Sequence, residues 1–488
     1  MVQPSVLRQA ATCLTALATL SSASSLPPSI PTGFGPSKAA AKENAFQIFN
    51  AIHSAMRQWG SSRHHNGMSL FLATIPPGVI LHHGTHSPIP PPGPEWLAFD
   101  IEHAELFAHP ARGGGGPGGG KKPPTLPPPS PPNPKQQHPL PVSSNPPVVH
   151  GYLHLYRTTA PLRLLYLDGT SAGNTPMGTL DTQDLLLRGN RSTPVWDERG
   201  RAADLCRLVA AEWGLHGVLR MEAGFEVIKC GAFAGDGMEL VAANQRPGFV
   251  RAIARRYHGI GGGRVVVDWG SMVSGLFYGV DLGNPDESRG DLPRLVRVKD
   301  GELRGIRERV GEVVRERVEG GNRVVDWQGV VDLVVARYAD RLRYMVEGVE
   351  ELEVMQGEVN GLSNTHIDYA VEDDGFQAAI GRCARHYTMS VVPVTQEDHL
   401  ILAAIETVTG SICTTIFVVR KVLVEDPDAD EASLDRAKGV LRGLMDKLNW
   451  TRWKECPACR KRKNKKPKEC VSRESNAGPI DGNDGFYH

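Results

Sequence analysis

Three short stretches of this chain carry residue types that could do chemistry. The first is His82-His83-Gly84-Thr85-His86. Imidazoles are metal-ligand types, but Gly84, Thr85 and Pro88 oppose the helix that would put His82 and His86 on one side, and no carboxylate stands beside them. No metal is expected there. The second is Gly169-Thr170-Ser171-Ala172-Gly173, a G-x-S-x-G match after the apolar run Leu162–Leu167. A nucleophile elbow needs a helix starting at its serine, and Asn174, Pro176 and Gly178 follow instead. A serine hydrolase with Ser171 as nucleophile stands as a lesser alternative. The third is Cys456-Pro457-Ala458-Cys459 with Cys470 beyond. A structural zinc site takes four ligands, and the fourth is missing unless His488 or another distant residue supplies it. Nine lysines and arginines between Arg452 and Lys468, against one glutamate, read as a solvated basic tail over 451–488.

The elements around these stretches follow from hydrophobic spacing. Ala45, Ile48, Phe49, Ile52, Met56 and Trp59 predict one amphipathic helix over 38–59. Strands are predicted at 69–73, 79–82 and 96–99, and Asp100 is placed to cap a helix over 101–108. Further strands are predicted at 152–157, 162–167, 181–187, 217–220, 225–230 and 265–267, with a helix over 202–213. From about residue 300 the period changes to helical, predicting helices over 303–318, 330–345, 376–389, 399–424 and 432–448, as in Val330, Val331, Val334, Tyr338, Leu342 and Met345. The run 400–419 is apolar, but Glu406 near its middle favours a buried helix over a membrane span.

One constellation recurs in order along the first half. It runs Val79-Ile80-Leu81-His82-His83-Gly84-Thr85, then Trp96-Leu97-Ala98-Phe99, then Glu102-His103-Ala104-Glu105-Leu106-Phe107-Ala108. It continues Gly151-Tyr152-Leu153-His154-Leu155-Tyr156-Arg157 and Pro161-Leu162-Arg163-Leu164-Leu165. It closes with Gly214-Leu215-His216-Gly217-Val218 and Gly224-Phe225-Glu226-Val227-Ile228. This pattern resembles the ADP-ribosyltransferase fold, in the branch with a His-aromatic-Glu site, over roughly residues 40–235. It also resembles a group of uncharacterised fungal secreted proteins.

The resemblance implies an α+β chain: an ADP-ribosyltransferase-like split β-sheet domain followed by an α-helical domain. It implies NAD as substrate, with cleavage of the nicotinamide–ribose bond and transfer of ADP-ribose to a protein, a small molecule or water. His83 and Glu226 take the catalytic positions. Gly84, Thr85, Trp96 and Phe107 line the dinucleotide, the aromatic rings stacking on nicotinamide. Glu222 and Asp184 are the alternative carboxylates, and Phe107 stands where the family often has tyrosine. The chemistry suits these types: a rigidly held carboxylate stabilises the positive charge that develops on the ribose. The alternative is a non-catalytic secreted binding protein with a vestigial cleft.

Composition bounds the rest. Lys plus Arg and Asp plus Glu number 54 each in 488 residues, so bulk charge draws the chain neither to nucleic acid nor to an anionic membrane. Arg8, the uncharged run Ala10–Leu20 and small residues up to Ala23 read as a signal peptide over 1–23, hence a secreted protein. An oxidising compartment lets Cys206 pair with Cys230 and Cys383 with Cys413, although sequence alone does not fix that connectivity. Two sequons, at Asn190 and Asn449, fit the same compartment. Residues 110–147, with 14 Pro and seven Gly, predict a disordered insertion. The domains are then 38–245 (α+β), 246–299 (a bridge) and 300–450 (α-helical).

Overall fold

The computed structural model describes residues 29–108, 151–222, 224–246, 259–319, 325–371 and 375–454. The stretches read as a signal peptide (1–23) and as a disordered insertion (110–147), with Cys456, Cys459 and Cys470, lie outside the described residues.

Nine strands form one mixed sheet. They are β1 (Ser69–Ile75), β2 (Ile80–Thr85), β3 (Glu95–Ala98), β4 (Gly151–Thr158), β5 (Leu162–Leu167), β6 (Gly217–Met221), β7 (Phe225–Lys229), β8 (Met238–Arg246) and β9 (Val266–Ser274). Their order across the sheet is β8-β4-β2-β3-β7-β6-β5-β1-β9. Only β5 and β6 run parallel; the other neighbours are antiparallel. The described α-helices are α1 (Lys38–Glu43), α2 (Ala45–Ser54), α3 (Gln58–Ser61), α4 (Ile101–Glu105), α5 (Glu198–Cys206) and α6 (Asp300–Glu319). They continue with α7 (Trp327–Glu347), α8 (Leu352–Ser363), α9 (Phe376–Arg385), α10 (Gln396–Leu423) and α11 (Glu431–Leu448). The chain is therefore α+β.

The helix predicted over 38–59 is three pieces. Asn44 leaves helical geometry, and its side-chain amide donates to the Leu276 carbonyl at 3.0 Å. Met56 takes a φ of 56°, and its N–H donates to the Tyr166 hydroxyl. Tertiary hydrogen bonds thus take over where the helix breaks. Asp100 precedes α4 in extended geometry without capping it, and α4 stops at Glu105. The strand predicted at 181–187 is a π-helical turn, Thr182–Leu187, buried along its whole length. A continuous apolar run does not by itself distinguish a strand from a helical segment.

The segment 246–299 supplies β9, an edge strand of the sheet. The helices of 300–450 share one continuous hydrophobic core with it: Phe71 and Tyr166 of the sheet belong to the same cluster as Trp327, Ile405 and Leu441. Helix α10 is long and apolar enough to cross a membrane by length and composition, but 56% of that window is buried inside the fold. A capping box of Thr395 and Asp398 starts it, and Asp398 also accepts from the Trp327 indole at 2.7 Å. Both expected cysteine pairs lie at disulfide distance, Cys206–Cys230 at 2.04 Å and Cys383–Cys413 at 1.99 Å.

Candidate functional site

Alternation along a strand decides which candidates can meet. His82 pairs with Ala98, Ala98 with Glu226, and Glu226 with Arg220. Residues directly opposite one another point to the same side of a sheet, and neighbours in sequence point to opposite sides. His82, Gly84, Trp96, Ala98, Glu226 and Arg220 therefore share one face. His83 and Thr85 belong to the other. This corrects the expected pairing: the structure does not bring His83 and Glu226 together.

On its own face His83 is buried. Its Nδ1–H donates to the Trp96 carbonyl at 2.7 Å, and its ring packs edge-on against Phe233 and His154. Burial, opposed by that hydrogen bond, lowers its pKa and keeps it neutral. Thr85 ends β2, where its hydroxyl accepts from the Ser87 N–H in a turn. The histidines of 82–86 gather no metal site, because His82 and His83 diverge and His86 is exposed.

The other face carries the polar chemistry. Helix α4 lies directly over β2: a Cβ at position 84 would sit 1.9 Å from the Ala104 carbonyl oxygen, so this approach requires glycine. That contact brings His103 over the sheet. Its Nε2–H donates to Glu226 Oε2 at 3.1 Å, while Arg220 Nε donates to Glu226 Oε1 at 2.8 Å. Arg220 also donates to Gln183 and Glu198. Arg201 joins Glu198 to Asp184, which it binds with two hydrogen bonds of 2.9 and 3.0 Å. Charges thus alternate along Asp184, Arg201, Glu198, Arg220, Glu226 and His103. Asp184, an alternative carboxylate in the sequence reading, is committed to Arg201 and Arg188.

Glu222, the other alternative, does reach the site. The β6–β7 hairpin closes with its N–H donating to the Gly224 carbonyl, and the hairpin places Glu222 beside Glu226. One ligand-type atom each from His103, Glu222 and Glu226 lies within 4.8 Å of the others. Both Glu226 oxygens already accept from Arg220 and His103, so the trio is an ion-pair cluster before it is a metal cage.

The two carboxylates differ in protonation. Burial pushes Glu226 up, but the Arg220 charge and the His103 hydrogen bond outweigh it and hold the group below the ordinary range. Burial pushes Glu222 up to about 7, helped by the neighbouring Glu226 charge. Burial pulls His103 down, and Glu226 more than offsets this, raising its pKa. The site is therefore an ionised carboxylate beside a carboxyl that exchanges its proton near neutrality.

The aromatic candidates flank this face. Phe107 is 55% exposed, with its ring 5.9 Å from that of His103. Trp96 is half-buried, with the Arg199 guanidinium 5.8 Å from its ring centroid. Ser171 is buried, and its hydroxyl donates to the Leu167 carbonyl at 3.0 Å. The hydrolase alternative needs a histidine at that hydroxyl; among the described residues it has none.

Sequence reading missed His103, Arg220, Glu198 and Gln183. A signal for Arg220 was present. A short connection between two antiparallel strands puts 221 opposite 225 and 220 opposite 226, so an arginine in the apolar strand Val218-Leu219-Arg220-Met221 has to face Glu226.

Comparison with known proteins covers the part of the chain that carries this site. The family described as the YPL277C N-terminal domain matches residues 38–145 and 145–252. Two proteins of Saccharomyces cerevisiae, "Uncharacterized protein YOR389W" and "Uncharacterized protein YPL277C", are each 34% identical to this chain over 212 residues. The match takes 41% of this chain and 33% and 43% of theirs, so the chain spans about a third and about two fifths of the length of these relatives. No solved structure matches. By sequence, then, residues 38–252 are similar to the YPL277C N-terminal domain.

Proposed function

We propose that the chain is a secreted protein of the ADP-ribosyltransferase type that cleaves the nicotinamide–ribose bond of NAD, as a transferase or an NAD glycohydrolase. One observation carries this reading. Trp96 and Phe107 flank the sheet face that carries Glu226, where an ionised carboxylate adjoins a second that titrates near neutrality, whereas Gly84 is covered by Ala104 of α4 and does not line it. The imidazole of this site is His103 rather than His83.

The division of labour follows from the two environments. Glu226, held ionised by Arg220 and His103, stabilises the positive charge developing on the ribose. Trp96 and Phe107 offer ring faces to the nicotinamide. The carbon–nitrogen bond breaks with its electron pair on the nicotinamide nitrogen. Ionised Glu222 takes the proton of the acceptor O–H as the new carbon–oxygen bond forms. The acceptor is water in a glycohydrolase, and a protein or small molecule in a transferase. The two cysteine pairs at disulfide distance support an oxidising compartment. The test is incubation with NAD, following released nicotinamide, with Glu226→Gln as control. Release by the wild type and its loss in the variant support the reading.

A second reading is a non-catalytic secreted binding protein. It is favoured by the closure of Glu226, whose two oxygens are both bonded and whose exposure is 4%. Exposed apolar side chains at Tyr369, Val371, Met389, Val392 and Val394 offer contact area in the helical half. Absence of nicotinamide release from the wild type selects this reading.

A further inference from the structure

The charged face has the donor set of a metal site. His103, Glu222 and Glu226 each offer one ligand-type atom within 4.8 Å of the other two. His103 and Glu226 are 3% and 4% exposed, while Glu222 is half-buried at the β6–β7 turn, so the group is reachable from solvent. His103 Nε2 and Glu226 Oε2 stand 3.1 Å apart. Two ligands at about 2.0–2.1 Å from a tetrahedral ion are about 3.3–3.4 Å from each other. The hydrogen-bonded pair therefore already has nearly the spacing of two metal ligands.

Two further observations point to a ligand there. The first is an orphaned atom: with Nε2 bonded to Glu226, the buried Nδ1 of His103 has no hydrogen-bond partner. A ligating histidine generally donates its other ring N–H to a carboxylate or carbonyl. Asp100 Oδ2 lies on that side, since it and His103 Nδ1 approach the same spot beside Gly224, 3.2 and 3.4 Å from where a Cβ would stand. A metal on Nε2 leaves one imidazole proton, on Nδ1 and facing that carboxylate. Any second imidazole proton, and that of Glu222, go to solvent.

The second observation is charge. Glu222 and Glu226 supply two negative charges, which match a dication. Arg220 and Arg201 do not upset this balance, because Glu198 meets the first and Asp184 the second. Arg220 keeps Glu226 Oε1 at 2.8 Å, an outer hydrogen bond of the kind that fixes a ligating carboxylate, and leaves Oε2 to the ion. One imidazole with two carboxylates suits a first-row transition metal. Ca²⁺ takes about six to eight oxygen ligands, which this group does not offer.

We propose that His103, Glu222 and Glu226 bind one divalent transition-metal ion of the zinc type, with Asp100 and Arg220 as the outer partners of His103 and Glu226. The site shares Glu226 with the proposed NAD cleavage but does not rest on it. An ion there neutralises the charge offered to the ribose, so the metal-loaded and NAD-cleaving forms are alternatives.

The test is titration calorimetry of the whole protein with ZnCl₂, and with CaCl₂ as the oxygen-seeking control, in the absence of NAD. Free thiols are alkylated first, so that Cys456, Cys459 and Cys470 add no ligand. The variants are Glu222→Gln and His103→Gln, with Glu308→Gln, paired to Arg304 on α6, as the distant control. The expected result is one Zn²⁺ per chain, bound about tenfold or more weaker in both site variants and within about twofold of wild type in Glu308→Gln, with Ca²⁺ bound weakly or not at all. Far-ultraviolet dichroism checks folding, and Glu222→Gln, at the half-buried ligand, decides if His103→Gln does not fold. No stoichiometric zinc binding, zinc binding unchanged in Glu222→Gln, or Ca²⁺ bound as tightly as Zn²⁺ overturns the proposal. Because nicotinamide release is not read, this failure is distinct from failure of the NAD reading.

Discussion

The two faces of the sheet at β2, β3 and β7 hold similar residues and use them differently. One face buries His83, His154 and Tyr156 around Phe233, with short ring contacts and neutral imidazoles. The other holds Glu226 in a file of alternating charges under α4 and α5. His82 and His83 are adjacent in sequence and fall on opposite sides of this division. Reactive residue types that follow one another along a strand therefore make one site only when they are two apart. What separates packing from chemistry here is partnership: the first face holds its imidazoles by a backbone carbonyl, the Tyr156 hydroxyl and ring contacts, the second holds its groups by charges that perturb one another.

The largest effect that would break this contrast comes from the charged face. Arg220→Ala leaves Glu226 buried without its cation, and breaking such a pair costs about 3–5 kcal/mol. Urea unfolding should show this loss, and a loss below about 1 kcal/mol would mean that the charge file contributes little.

Next is the pH dependence from Glu222. Its carboxyl titrates higher folded than unfolded, near 7 against an ordinary 4.5. The folded state then binds more protons across that interval, so stability is full below it and falls as pH rises through it, at up to about 1.4 kcal/mol per pH unit. Asp168, raised in the same direction, adds a slope of the same sign elsewhere. The difference between wild type and Glu222→Gln isolates the local part; parallel curves would contradict the assignment.

A smaller effect belongs to the neutral face. His83→Gln loses a hydrogen bond of ordinary strength, about 1 kcal/mol, by the same unfolding measurement. Smallest is a surface effect that tests the compartment. Asn190 is exposed, its Oδ1 accepting only from the Ser192 N–H, whereas Asn449 Oδ1 is held by Arg63 Nε at 2.9 Å beside the buried Trp450. Secretory expression should give a glycosidase-sensitive mobility shift that Asn190→Gln removes and Asn449→Gln keeps, while Asn190→Gln changes stability by no more than about 0.5 kcal/mol.

Much of the fold was legible where one periodicity dominates. The strand read at 162–167 is β5 to the residue, and the helices read at 399–424 and 432–448 are α10 and α11 within three residues. Helix α8 was missed because Gly357 and Gly361 dilute its pattern. Strand β8 was missed because its sequence, Met-Glu-Leu-Val-Ala-Ala-Asn-Gln-Arg, lacks clean alternation. The candidate site was half legible. Glu226, Gly84, Trp96 and Phe107 are named only through the resemblance, and strand alternation puts Gly84, Trp96 and Glu226 on one face. The partners that set the carboxylate's charge come from a helix and a π-helical turn far away in sequence, and only the hairpin register hinted at one of them. The error over His83 came from reading a strand as a string of residues rather than as two alternating rows.

The proposed NAD cleavage puts the substrate at the Glu226 face and not at the His83 face. The most direct measurement is nicotinamide released from NAD by the wild type, Glu226→Gln and His83→Gln, each checked for folding. The account predicts release by the wild type, a loss of about a hundredfold or more in Glu226→Gln and a change within about threefold in His83→Gln. Equal losses in the two variants, or no release from the wild type, would contradict it.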